Sequence, residues 1–210
     1  LVNLFIQSSI KIQDDERDIL IIMDCSYPGE SNIAFEIENN GSLPAVVKIR
    51  IPAWCDRYRA SFDGDDVDVN SENGYWCITI SPGRHSAALI PEIVPKRWYC
   101  NPKVSENIGR VAVERGPFVY CAESVDNGED LHLLKLPVNS FLDYTWCDDL
   151  LEGVGVIEAE GIRLKGSDDN NNLYMCDKPQ KSPQKIRLIP YYAWANRGEN
   201  EMRVWINEGL

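Results

Sequence analysis

Histidine is scarce in this chain. Only two histidines, His85 and His132, occur among the 210 residues, and they are far apart in the sequence. Metal centres and nucleophile–base pairs often use histidine, as a ligand or as the base. The sequence therefore argues against a histidine-rich metal site and against a Cys–His pair. We predict no catalytic, cofactor-binding or metal-binding residue in this chain.

Paired cysteine motifs are also missing. The seven cysteines are widely spaced, and no C-x-x-C sequence occurs. This spacing matches neither a zinc ribbon nor a thioredoxin-type motif. Cys55, Cys77 and Cys121 lie in apolar stretches, where a free cysteine packs as a small hydrophobic residue. We expect reduced thiols and a cytoplasmic protein, because disulfides are rare in reducing compartments.

Basic residues are outnumbered by acidic ones, 21 to 33, which gives a formal net charge of −12. Nucleic acids and anionic membranes attract basic surfaces, so we predict neither as a partner. No apolar run approaches the length of a membrane helix, and the N-terminus does not resemble a signal peptide. The chain begins at Leu1, beside an apolar run at residues 2–6. We therefore expect a piece of a longer polypeptide, in which case the missing signal says nothing about the parent.

Apolar residues that alternate with a period of two are abundant. Ile33, Phe35 and Ile37 alternate with small or charged residues, as in a strand with one buried face. Residues 19–23 form a continuous apolar run, which predicts a strand covered on both faces. The only helix that we predict is a short one at residues 146–153. Further strands are predicted at residues 47–51, 75–80, 87–94, 110–114, 118–123, 156–164, 185–189 and 202–206.

Turn sequences separate the predicted strands. Asp63-Gly64 and Asn73-Gly74 favour tight hairpins, and the polar run at residues 167–172 predicts an exposed loop. We predict an all-β fold of two antiparallel, jelly-roll-like β-sandwiches in tandem. A polar connector before Asn107 sets the boundary. The first sandwich then covers residues 1–107, and the second covers residues 108–210 with the closing strands.

Glu114 and Glu123 come closest to a catalytic pair. Two carboxylates are the minimum for most glycoside hydrolysis, and a hairpin about Gly116 would bring their strands together. The alternative is that both are surface carboxylates, solvated or paired with Arg110 or Arg115. We favour this second interpretation, because Glu114 is out of phase with the apolar residues of its strand.

Aromatic residues offer another candidate site. Six tryptophans are present; exposed rings could stack on sugars, but most tryptophans in β-sandwiches are buried. Tyr191, Tyr192 and Trp194 lie close together in the sequence, near Arg197. Tyrosine, tryptophan and arginine are enriched in protein interfaces. We therefore predict that these four residues form an interface, and we favour this over sugar binding.

Several blocks of sequence resemble the C-terminal region of glycoside hydrolase family 127, the β-L-arabinofuranosidase-like enzymes. The more specific blocks are residues 110–123, 189–197 and 202–205, and weaker ones are residues 2–6, 47–54 and 72–75. The resemblance implies an (α/α)6 catalytic barrel that precedes two β-sandwiches. It also implies a zinc-bound cysteine nucleophile and a glutamate acid/base in that barrel. Cys121 is not in the metal-binding cysteine segment, so no catalytic or zinc-binding residue carries over.

The resemblance thus implies a non-catalytic accessory region whose partner is the catalytic barrel of the same polypeptide. Zinc is expected only in that barrel, and homodimerisation is a further role for the same region. The alternative from another class is an autonomous carbohydrate-binding module, with a sugar as its partner.

Overall fold

The computed structural model describes residues 1–14, 17–69, 71–165 and 173–209, so the predicted loop at residues 167–172 lies outside the described residues. The chain forms two compact units, Leu1–Ile93 and Val94–Leu210. Strands make up most of the regular structure described in each unit. The predicted all-β class is confirmed.

The first unit is a sandwich of two antiparallel sheets. One sheet has the order β1-β2-β3-β9-β5-β6, and the other has the order β4-β8-β7. Buried side chains from both sheets, such as Phe35 and Trp76, form one core between them. The strands are β1 (Ser8–Gln13), β2 (Asp18–Cys25), β3 (Ile33–Asn39), β4 (Ala45–Arg50), β5 (Tyr58–Phe62), β6 (Asp65–Asp66), β7 (Ser71–Glu72), β8 (Tyr75–Ile80) and β9 (Gly83–Pro91).

Burial alternates along β2, although its sequence is a continuous apolar run. Ile19, Ile21 and Met23 are buried in the core, whereas Ile22 is 38% exposed. Core packing covers only one face of β2, as is common in antiparallel sandwiches. The prediction that both faces of this strand are covered is therefore wrong.

The second unit contains one large sheet and several short helical turns. Its strands are β10 (Pro95–Tyr99), β11 (Arg110–Arg115), β12 (Phe118–Glu123), β13 (Leu134–Pro137), β14 (Asp143–Cys147), β15 (Val154–Lys165), β16 (Gln180–Pro190), β17 (Met202–Arg203) and β18 (Ile206–Gly209). A short helix, α1 (Ser124–Asn127), follows β12, and three-residue 3₁₀ turns occur at Ser105–Asn107, Leu131–Leu133 and Tyr191–Ala193.

The helix predicted at residues 146–153 is not formed. Trp146 and Cys147 belong to β14, and the rest of this segment consists of turns and bends. β14 pairs with β15 as a hairpin, with Cys147 opposite Val154. The chain must reverse within a few residues to make this pairing, which leaves no room for a helix.

The path of paired strands in the second unit closes on itself. It runs through β11, β18, β13, β15, β16 and β12, and β12 pairs back with β11. β13 and β18 run parallel, an exception to the predicted antiparallel pairing. Residues from all six strands, including Val111, Tyr120 and Leu134, form a buried core. This closed small barrel is consistent with the β-sandwich-type class.

The two units divide between Ile93 and Val94, earlier than the boundary near Asn107 that the sequence suggests. β10 pairs along its length with β11, from Pro95 opposite Arg115 to Tyr99 opposite Val111. β10 therefore belongs to the second unit, and residues 101–107 connect two strands within that unit. Polar residues with proline mark a loop between strands as readily as a domain linker.

Candidate functional site

An exposed group of aromatic rings lies where β16 ends. The 3₁₀ turn Tyr191–Ala193 follows Pro190 directly. Tyr191, Tyr192 and Trp194 are 46%, 59% and 38% exposed, whereas Ala193 is buried in a cluster with Cys121. The buried alanine anchors the turn while the three rings meet solvent. We call Tyr191, Tyr192 and Trp194 the aromatic surface.

Ring contacts hold the aromatic surface in shape. The rings of Tyr191 and Trp194 are stacked, with centroids 5.8 Å apart. Tyr192 packs against Phe118 at 4.9 Å between ring centroids. Both distances lie in the range of favourable aromatic pairs. The rings of Tyr191 and Trp194 are thus brought together, and the ring of Tyr192 is supported separately by Phe118.

Arg197, the fourth predicted interface residue, directs its charge into the protein. Its Nη1 donates to Asp126 Oδ1 at 2.9 Å, and its Nε donates to Glu123 Oε2 at 3.1 Å. The Arg197 side chain is only 15% exposed. The hydrogen bond to Asp126, together with the bond to Glu123, raises the pKa of Arg197. Arg197 therefore anchors the loop that follows the aromatic surface.

Glu123 is fully buried, and its carboxylate is enclosed by donors. Besides Arg197, the backbone N–H of Ala195 donates to it at 3.0 Å and Asn200 Nδ2 donates at 3.2 Å. For Glu123, the prediction of a carboxylate that is solvated or paired with Arg110 or Arg115 is therefore wrong. A buried carboxylate needs such partners to offset its lost hydration. Its partner Arg197 lies 74 positions away in sequence, so local spacing gives no signal for the pair.

Glu114 is not placed to act with Glu123. The hairpin about Gly116 forms as predicted, with a φ of 59° that glycine readily adopts. Glu114 lies opposite Val119 in this hairpin, and Glu123 follows four residues further along β12. Four residues of a strand span about 13 Å, whereas the two carboxyl groups of glycosidases are about 5–9.5 Å apart. The Glu123 carboxylate is also already bound by Arg197.

Arg115 is buried against an aromatic ring. Its guanidinium carbon lies 3.5 Å from the centroid of the Tyr144 ring, a distance that gives a cation–π interaction. Tyr144 in turn covers Gly155, where a Cβ atom would lie 2.4 Å from a carbon of the ring. The close approach of ring to backbone explains why glycine stands at this position. Arg115 therefore supports the core of the second unit.

An open groove adjoins the aromatic surface. Its volume is about 740 Å³, and we call it the arginine groove after Arg110 and Arg203 in its lining. Val119, Tyr191, Met202 and Trp205 also line it. Tyr191 belongs both to the groove and to the aromatic surface, so the two features are continuous. No local sequence motif indicates this groove, because β11, β12 and β17 contribute residues from distant parts of the chain.

A separate hydrogen-bonded cluster lies in the first unit. His85 Nδ1 is 2.8 Å from Asp63 Oδ2, and Ser81 Oγ is 3.1 Å from His85 Nε2. Asp63 Oδ1 accepts the backbone N–H of Ser86 at 2.8 Å. The hydrogen bond with His85, followed by that from Ser86, lowers the pKa of Asp63. The cluster ties the β5–β6 turn to the hairpin of β8 and β9.

The described ranges contain His, Cys, Asp and Glu side chains, the residue types that most often bind metal ions. Within them, no group of three or more His, Cys, Asp or Glu side chains is placed to hold a metal ion. These residues therefore offer no ligand set for the zinc that the sequence resemblance implies in the parent enzyme.

The seven cysteines all lie in the described part of the chain, and none is joined to another. Burial raises the pKa of Cys121 to about 12, and the nearby Glu123 contributes in the same direction. In the same described part, no helix is both long enough and apolar enough to cross a membrane.

Two family models match the chain. Residues 1–84 match the model for the β-L-arabinofuranosidase, GH127 middle domain. Residues 95–207 match the model for the glycoside hydrolase family 127 C-terminal domain. The gap between the two matches contains the division between Ile93 and Val94.

Individual relatives are considerably longer than this chain. It is 32% identical over 194 residues to a non-reducing end β-L-arabinofuranosidase of Bifidobacterium longum subsp. longum, a match that covers 86% of this chain and 29% of the relative. The crystal structure of a GH127 β-L-arabinofuranosidase from Geobacillus stearothermophilus T6 matches with a TM-score of 0.91 and 36% identity, over 98% of this chain and 33% of that one. The structure of another GH127 β-arabinofuranosidase matches with a TM-score of 0.85 and 29% identity, over 99% and 34%. The chain thus spans about a third of the length of these relatives.

Proposed function

The chain belongs to glycoside hydrolase family 127, and we propose that it is the non-catalytic accessory part of a longer enzyme. That enzyme acts on arabinofuranosides or related sugars. One observation carries the proposal: the chain matches the models of a middle and a C-terminal domain, but only about a third of the length of enzymes in the family. The remaining two-thirds of such an enzyme would supply the active site.

The role proposed for this chain is to support the catalytic barrel of the same polypeptide. The aromatic surface is the proposed contact, because its three rings are exposed, close together and held in place by ring contacts. Aromatic residues in such settings are typical anchors of interfaces. Arg197 contributes by fixing the adjoining loop to Glu123 and Asp126.

The zinc and the catalytic cysteine belong, on this proposal, to the barrel. The described residues of this chain provide no metal-ligand cluster, and Glu114 and Glu123 are not arranged as a catalytic pair. We also propose a cytoplasmic location, which is supported by seven cysteines that are all unbridged.

Activity assays on two proteins test the proposal. The purified 210-residue chain is expected not to hydrolyse an aryl β-L-arabinofuranoside. The full-length product of the same gene is expected to hydrolyse this substrate or a related glycoside. Hydrolysis by the short chain that Glu114→Gln abolishes would overturn the proposal, as would a gene that encodes no catalytic part.

The autonomous carbohydrate-binding module receives no support from the comparisons, because the matched models and relatives are those of the hydrolase family itself. The aromatic surface also lies beside the apolar wall of a groove that contains arginines. These features favour a protein partner for the exposed rings.

A further inference from the structure

We propose that the arginine groove receives an acidic segment of the catalytic part, and that Arg110 and Arg203 bind the carboxylates of that segment. The proposal rests on the function proposed above, because the segment belongs to the same longer polypeptide. It adds a second, charged contact beside the aromatic surface and specifies the chemistry of the partner.

The groove contains positive charge that residues 94–165 and 173–209, the described part of the second unit, do not fully neutralise. Arg110 is half-buried, and its guanidinium has no hydrogen-bond or ion-pair partner within residues 1–14, 17–69, 71–165 and 173–209. Arg203 Nε has Glu201 Oε1 as its nearest ion-pair partner, at 3.8 Å. Among the described residues, the groove lining contains two arginines and one carboxylate, that of Glu201, and Arg110 has no ion pair there.

Glu201 is in turn held by another group. Its Oε2 accepts the backbone N–H of Leu131 at 2.8 Å, so its carboxylate cannot swing across to Arg110 without losing that bond. A guanidinium carries five N–H donors in a planar fork that fits a carboxylate. The donors left unused in the groove are therefore suited to a carboxylate from outside this chain.

The walls of the groove define what must flank that carboxylate. Val119 is 42% exposed and Tyr191 is 46% exposed, and Met202 and Trp205 complete an apolar lining. An aspartate or glutamate between apolar side chains would satisfy both the arginines and the walls. Burying these apolar surfaces stabilises the contact, while the ion pairs fix its register.

The net charge of this chain and the greater length of its relatives indicate which partner occupies the groove. The net charge of −12 disfavours the binding of acidic molecules over most of the surface. An acidic segment is therefore attracted only where arginines are exposed. The relatives carry about two-thirds of their length outside the part that this chain matches, which is ample to supply a segment. Tyr191 joins the groove to the aromatic surface, so one partner would cover both.

Hydrogen–deuterium exchange on the full-length gene product tests this inference. Peptides spanning residues 199–205 are compared in the full-length protein, in the 210-residue chain and in full-length Arg110→Glu/Arg203→Glu. We expect exchange about tenfold or more slower in the full-length protein than in the short chain, and most of that protection to be lost in the double variant. Arg110→Gln/Arg203→Gln removes the charges without reversing them, and near-UV circular dichroism verifies that each variant is folded.

Arg59→Glu/Arg84→Glu is the matched control, since it makes the same change of charge at exposed arginines of the first unit. Protection that survives in both groove variants overturns the inference but leaves docking of the aromatic surface intact. If neither the groove nor the aromatic surface is protected in the full-length protein, or if the gene encodes no catalytic part, the proposed function fails with it. Protection that appears only at high protein concentration indicates a second copy in the groove and also overturns the inference.

Discussion

Arg197 Nε lies 3.1 Å from Glu123 Oε2, although 74 positions separate the two residues in the sequence. The pair joins the end of β12 to the loop behind the aromatic surface. Asp126 binds the same guanidinium, and Ala195 and Asn200 donate to the same glutamate. This buried cluster fixes the loop that directly follows the three exposed rings, and so it fixes the position of the rings.

Arg197→Met is expected to destabilise the second unit strongly. It would leave the fully buried Glu123 carboxylate without its charged partner, and breaking a buried ion pair in this way costs about 3–5 kcal/mol. Glu123→Gln should cost less, because Asp126 still binds Arg197. Urea unfolding followed by fluorescence measures both.

Arg84→Met serves as the control for this prediction. Arg84 pairs with Glu38, but its side chain is 85% exposed, and exposed pairs contribute about 0–1 kcal/mol. If Arg197→Met were no more costly than Arg84→Met, the cluster would not hold the loop in place.

The paired change Tyr192→Ser/Trp194→Ser should leave the second unit folded. Both side chains are substantially exposed, so their loss should cost well below the about 3–5 kcal/mol typical of buried aromatics. The short chain should self-associate less, since an exposed apolar patch is removed. Sedimentation velocity measures association, and thermal unfolding measures stability.

Phe141→Ser, at a 79% exposed ring outside the aromatic surface, is the control. Unfolding of the double variant would show instead that the rings support the core.

Asp63 should make the stability of the first unit depend on pH. Hydrogen bonds from His85 and Ser86 lower its pKa in the folded state, below the value of about 3.9 for an unfolded aspartate. The stabilisation is therefore fully present above that value and is lost as the pH falls through the folded pKa. Asp63→Asn should be less stable than the wild type at pH 6 and should approach it at pH 2.

Thermal unfolding between pH 2 and pH 6 measures this difference. Asp68→Asn, at an exposed aspartate of the same unit, is the control. An unchanged gap between wild type and Asp63→Asn across this range would rule out the ionised carboxylate as the source of the effect.

Cysteine reactivity should follow burial. Cys121 is completely buried with a pKa of about 12, whereas Cys176 is exposed. Because the thiolate is the reactive form, a thiol reagent at pH 8 should modify Cys176 in seconds to minutes and leave Cys121 unmodified until the chain unfolds. Mass spectrometry of native and urea-unfolded protein reports each site. All seven thiols should react after unfolding without a reductant, and two or more native disulfides would contradict a reducing compartment.

Local pattern was sufficient for much of the fold. The alternation of Ile33, Phe35 and Ile37, and the glycine at position 116, specified strands and a turn that the structure contains. The local sequence pattern did not predict features that depend on packing between distant parts of the chain. An apolar run such as residues 19–23 cannot show that only one face will be covered.

The candidate site, like the fold, was predicted only in part from local sequence. The rings of Tyr191, Tyr192 and Trp194 were found from the sequence because they are concentrated in four positions. The burial of Glu123, by contrast, depends on donors some 70 or more positions later, which no local motif contains. The approach of Asp63 to His85 likewise follows from the pairing of β5 with β9, and the residue types alone did not indicate it.

The placement of β18 has a consequence for how the second unit is made. β18 lies between β11 and β13, and Ile206 pairs with Val111, almost a hundred residues earlier. A ribosome must therefore release nearly the whole unit before its barrel can close. Until then the start of β11, at Arg110 and Val111, and the edge of β13 that pairs with β18 are uncovered, and unpaired strand edges invite pairing with other chains. Translation that stops just short of Ile206 would yield a product prone to aggregation, even though only the last few residues of the second unit would be missing.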